Sequence, residues 1–257
     1  MGTALGQLQA EPARWQALEG VWRADELARP QQRHVPSGHE ALDAELPGQG
    51  WPLGQLTEIL QAQAGQHEWR LLLPALRQAV GQGQGQGPLV LVGAPQLPHL
   101  PALASAGIPT RQVLRVDADT AAERLWAAEQ VLRCRKLGAL LVWLPQARPE
   151  SLRRLQLAST ATQALVFAFR PVAVRHESSP APLRLVLQAM PEASKPDLGV
   201  AFIKRRGPPI DHLITLAAPL PVMAALRKRS VLKEPAHVVD RVAPPMVQRR
   251  QLQRLTA

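Results

Sequence analysis

The feature that most limits what this chain can fold into is a series of brief, nearly continuous apolar runs. Leu89-Val90-Leu91-Val92, Val113-Leu114-Arg115-Val116, Leu140-Leu141-Val142-Trp143-Leu144 and Leu165-Val166-Phe167-Ala168-Phe169 are separated or flanked by helix-like stretches at 99–106, 120–136 and 149–162. A strand that is apolar without alternation must be covered on both faces. Strands of that kind alternating with helices predict an α/β fold around a mainly parallel twisted sheet flanked by helices. Residues 56–60 read as an earlier strand of the same sheet. The helix expected over 67–80 places Trp69, Leu72, Leu73, Leu76 and Val80 at spacings of three and four, on one buried face.

Beyond Phe169 the pattern changes. Residues 183–189, 200–204 and 212–216 are strand-like, but Pro- and Ser-rich turns join them without room for helices, which predicts an antiparallel extension of the sheet. Twenty-five prolines in 257 residues are about twice the usual share of roughly 5%, so elements should be short. Ser37 is expected to cap a helix over 40–46, residues 47–54 to form a turn-rich loop, and the Gly/Gln alternation at 81–87 to form a loop of variable length.

Three segments follow: an N-terminal helical segment and linker at 1–36, a core domain at 37–218, and a C-terminal extension at 219–257. The short N-terminal helix is expected at 13–20, carrying Trp15 and Leu18. The single cysteine, Cys134, excludes a disulfide framework and a Cys-based zinc cluster, and reads as a half-buried small apolar residue. No apolar run approaches the ~18 residues of a membrane span, and the first residues do not resemble a secretory signal. The expectation is a soluble, cytoplasmic protein that meets no membrane.

Charge is concentrated at one end. From Ile203 onward there are eleven basic residues against three acidic ones, whereas the first 202 residues carry 19 against 17. A nearly neutral body with a strongly basic, partly flexible tail points to an anionic partner for the tail, either nucleic acid or an acidic protein surface. A merely solvated tail has the same composition.

The order strand, turn, helix at 56–80 is the setting for a phosphate-binding loop. Such a loop needs glycines whose neighbouring N–H groups wrap phosphate, a lysine for the outer phosphates and a hydroxyl for Mg²⁺. Here Gln61-Ala62-Gln63-Ala64-Gly65-Gln66-His67-Glu68 offers one glycine and no lysine, and Glu68 stands near the hydroxyl position. Leu144-Pro145 ends the central strand where a metal-holding Asp is required. The candidate loop residues Gln61, Gly65, Gln66, His67 and Glu68 therefore read as a degenerate cradle, with no cofactor, no metal and no ATP hydrolysis expected.

Val35-Pro36-Ser37-Gly38, Ala41-Leu42-Asp43, the run from Leu46 to Gly54 and Glu58-Ile59 resemble the segment that leads into the nucleotide loop of RecA-type recombinases. Phe202-Ile203-Lys204-Arg205-Arg206-Gly207-Pro208-Pro209 resembles the strand and K-x-R-x-G-P turn that follow that family's core. With the degenerate loop, Val21-Trp22-Arg23-Ala24-Asp25-Glu26-Leu27 and the basic extension, the chain is most similar to the ImuA family. These are RecA-like accessory proteins of the bacterial SOS translesion-synthesis cassette. The resemblance implies a RecA-like core and a non-catalytic adaptor in induced mutagenesis. It also implies an ImuB polymerase-like partner, and the recombinase itself as a further one. Alternatives are a SulA-like cell-division inhibitor and a feeble RecA-like DNA-dependent ATPase.

The resemblance also implies that loops after the third and fourth core strands face nucleic acid, which nominates Arg148, Arg170 and Arg175. Lys204, Arg205 and Arg206 of the turn become candidates for nucleic-acid or subunit contact. Neither loop carries an aromatic platform, so only weak DNA binding is expected. In the tail, Arg227, Lys228, Arg229, Lys233, Arg249, Arg250 and Arg254 are interleaved with Met246, Val247, Leu252 and Leu255. That pattern suits docking into an acidic groove of a partner.

Overall fold

The computed structural model describes residues 33–80, 87–190 and 197–216. The N-terminal segment up to residue 32, most of the Gly/Gln loop and the whole extension from 219, with every tail candidate named above, lie outside the described residues.

Strands β3 (Leu56–Gln61), β4 (Leu89–Val92), β5 (Val113–Val116), β6 (Ala139–Trp143), β7 (Leu165–Pro171), β8 (Leu183–Met190), β9 (Asp197–Lys204) and β10 (Ile214–Leu216) form one sheet. Its order is β10-β9-β8-β3-β7-β6-β4-β5. From β5 across to β8 every pairing is parallel; only β9 on β8 and β10 on β9 are antiparallel. A second, two-stranded sheet pairs β1 (His34–Val35) with β2 (Trp51–Pro52) antiparallel.

Helices cover both faces. One face, with Ile59, Leu91, Leu141, Phe167 and Leu185, packs under α1 (Glu40–Asp43), α2 (Glu68–Val80) and α3 (Leu100–Ser105). The other, with Leu56, Val90, Val142 and Val166, packs under α4 (Ala121–Leu132) and α5 (Pro149–Ser159). The α/β class and the mainly parallel, mixed sheet are thus as the apolar runs predict. Thr120 closes a capping box on α4: its hydroxyl accepts the Glu123 N–H while the Glu123 carboxylate accepts the Thr120 N–H. No helix of the described residues is long and apolar enough to cross a membrane.

Four expectations are corrected. β8 lies parallel to β3, so the extension turns antiparallel only at β9; the crossover over β3 is made by a 3₁₀ helix (Val172–His176) rather than an α-helix. β5 is an edge strand with Leu114 and Arg115 exposed, so its apolar run is not buried on both faces. Ser37 does not cap α1, whose N-cap is His39 without a side-chain bond. Instead the Ser37 hydroxyl accepts the His39 N–H, and the Ser37 N–H donates to Asp43. Cys134 is exposed.

Pro74 sits inside α2. Proline has no N–H for the carbonyl four residues back, here that of Arg70. His39 packs against this part of α2: burial lowers its imidazole below the usual histidine value, opposed by the nearby backbone of Leu71 and Arg70. Gly38, at φ 81°, lets the backbone pass over Pro74, where a Cβ would come within 2.3 Å of the proline ring.

Candidate functional site

The degenerate loop joins the carboxyl end of β3 to the first turn of α2. β3 is central, hydrogen-bonded on both sides by parallel strands. Crevices at the carboxyl ends of such strands are where open α/β sheets hold ligands. Gly65 turns the loop at φ 88°, in the left-handed region where a side chain is strained.

The loop's inner space is taken by one of its own side chains. Glu68 is buried, and its Oε1 accepts from Gln61 Nε2 at 2.6 Å, from the Gly65 N–H at 2.6 Å and from Trp143 Nε1 at 3.0 Å. Oε2 accepts the His67 N–H at 3.0 Å. The two backbone donors that a phosphate would seek are therefore bonded to a carboxylate, and the anion favoured at a helix N-terminus is intramolecular. Glu68 therefore fills the turn between β3 and α2 with its own carboxylate.

His67 adds no charge near neutral pH. Burial, with Arg70 nearby, pushes its imidazole below the usual histidine value, against a smaller pull from Glu68. Gln66 Nε2 donates to Gln63 within the loop. Beyond the loop, Trp143 and Phe169 stack with centroids 4.9 Å apart at 25°, and Leu144-Pro145 follows β6. Among the described residues no group of three or more His, Cys, Asp or Glu side chains is placed to share a metal.

On the opposite face of β3 lies a buried ion cluster that sequence reasoning missed. Glu58 stands directly across from Arg184 of β8. Its Oε2 accepts Arg184 Nε at 2.8 Å and its Oε1 accepts Arg170 Nη1 of β7 at 2.9 Å. Arg170 Nη2 also donates to the Ala147 carbonyl and to Glu177, and Arg184 donates to the carbonyls of Glu177 and Val174. Arg170 is thus spent inside the fold, 4% exposed, and is not a nucleic-acid contact. A charged residue within an otherwise apolar strand was the available signal.

The other sequence candidates scatter. Arg148 is exposed at the N-cap of α5, and Arg175 is exposed on the 3₁₀ helix. Lys204 donates to the Ser179 carbonyl and faces a groove of about 620 Å³ shared with Arg153 and Arg154, an arginine doublet the sequence reading passed over. Arg205 is turned inward. It bonds the Glu45 and Pro208 carbonyls, lies 3.5 Å from the Glu45 carboxylate and sits over the Phe202 ring, which makes it a tether to the α1 region. Arg206 is exposed beside a small crevice lined by His34, Pro47 and Pro52.

Comparison with known proteins finds no family model that matches this chain and no curated protein that matches it.

Proposed function

We propose that this chain is a RecA-like pseudo-ATPase of the ImuA type, a non-catalytic adaptor in SOS-induced translesion synthesis that binds an ImuB polymerase-like partner. The observation that carries the reading is the Glu68 carboxylate inside the loop. A cradle whose N–H groups are bonded to a buried anion, with no lysine on the loop, is poorly suited to triphosphate and magnesium.

Two further features support it. The central strand enters the degenerate loop and α2 in the order the recombinase resemblance implies. The Lys204–Pro209 turn follows β9, beyond the parallel strands, where that resemblance implies a turn after the core. The partner-binding role falls to the basic extension, and the recombinase and DNA are secondary partners, DNA bound weakly at most.

The test is co-purification of the full chain with an ImuB-like protein, compared with a chain ending near residue 218. Retention by the full chain and loss by the truncated one are expected. Failure of the full chain to retain the partner overturns the reading.

A further inference from the structure

A cavity of about 410 Å³ opens at the carboxyl ends of β3, β4, β6 and β7. Its size is within the range of small-ligand pockets, roughly 300–1,000 Å³. Trp143, Phe169, Ala94 and Pro95 give it apolar walls, and no Asp or Glu lines it among the described residues.

Two guanidinium groups reach its wall, and they differ in kind. Arg170 is neutralised by Glu58 and Glu177. Arg124, in the first turn of α4, is not. Its Nε donates to the Ala118 carbonyl at 2.8 Å and its Nη1 to the Trp143 carbonyl at 3.1 Å. Neither partner is a carboxylate, and Nη2 has no partner among the described residues. Two backbone carbonyls fix the plane of this cation and leave its charge uncompensated. Gly93 makes room for it, since a Cβ there would come within 2.6 Å of Arg124 Nε. The Glu68 carboxylate lies behind the wall with its oxygens occupied by four donors.

We propose that this cavity binds a carboxylate carried on an apolar or aromatic body, with the anion on Arg124 and the body against Trp143, Phe169 and Pro95. A positioned guanidinium suits a carboxylate. The apolar walls favour a singly charged acid over phosphate, and the absence of acidic lining disfavours cations. The carboxylate has two possible sources, a free aromatic acid or the last residue of a peptide chain. Leu97 and Leu100, two and five residues beyond Pro95, are 76% and 41% exposed and would extend the apolar surface for the second. The site stands independently of the adaptor reading.

The test is calorimetric titration of the full chain with phenylacetate, with the peptide Gly-Ser-Gly-Leu-Phe bearing a free C-terminus, with its amidated form, and with inorganic phosphate. Saturable binding of phenylacetate or the free-acid peptide is expected, with neither phosphate nor the amide equalling it. Arg124→Gln should weaken that binding roughly ten- to a hundredfold. Ala64→Phe, at an exposed wall position, should block it by filling the cavity while leaving the Arg124 bonds in place, and it decides the matter if Arg124→Gln does not fold. Preference for the peptide over phenylacetate assigns the source to a protein, and the reverse to a small molecule; either supports the site. Binding of neither acid overturns the proposal. So does phosphate binding equally well, or acid binding that survives Ala64→Phe unchanged.

Discussion

The backbone N–H of Gly65 donates to the Glu68 carboxylate at 2.6 Å, three residues along the same loop. That bond and its three companions hold the loop closed around its own anion. Glu68→Ala would leave the Gly65 and His67 N–H groups and the Trp143 and Gln61 side chains without their acceptor. Unsatisfied buried donors cost about 1–3 kcal/mol each, partly recovered by water. A net loss of about 3 kcal/mol in urea unfolding is expected; a loss below about 0.5 kcal/mol would mean that the carboxylate does not organise the loop.

Glu58 should behave as the keystone of the opposite face. Glu58→Gln leaves Arg170 and Arg184 buried with too little countercharge, and breaking a buried ion pair costs about 3–5 kcal/mol. Replacing Glu58, Arg170 and Arg184 together with Met or Leu removes the charges as a set, and the chain should recover most of that loss. Equilibrium unfolding of the single and triple variants checks the contrast; a triple variant less stable than Glu58→Gln would refute it.

Much of this architecture was legible in the sequence, because continuous apolar runs such as Leu89–Val92 need no distant information to be read as buried strands. The parallel placement of β8 was not legible. A 3₁₀ turn suffices for that crossover, whereas the usual rule expects a helix. Nor was the fate of Arg170, since its partner Glu58 is 112 residues earlier and lies diagonally across from it on the neighbouring strand, two register positions away. At the site, the missing lysine and the position of Glu68 could be read directly. The convergence of Gln61, Gly65, His67 and Trp143 on it depends on how β3 and β6 are aligned.

Acid should weaken the fold through two histidines. Burial holds His39 below its ordinary value of 6.5, against the opposing pull of the nearby Leu71 and Arg70 backbone, and burial lowers His67 as well. A base whose folded pKa is depressed binds more protons when unfolded. Its contribution is therefore complete above about 6.5 and is lost as pH falls below that value. Melting temperature measured from pH 7.5 to 5.0 (chosen conditions) should decline, and His39→Gln should flatten the decline. An unchanged slope in that variant would remove His39 from the account.

Thr120 caps α4 through Glu123, whose carboxyl is held below its usual value by the backbone and hydroxyl of Thr120. Thr120→Ala should cost about 1 kcal/mol. Denaturant titration checks it, and no measurable loss would mean that packing alone sets where α4 begins.

The most direct measurement is calorimetric titration of the full chain with ATP and Mg²⁺. A loop already occupied by Glu68 predicts no saturable binding up to about 1 mM nucleotide. Saturable binding at micromolar ATP, weakened by changing Gly65 or His67, would contradict the account.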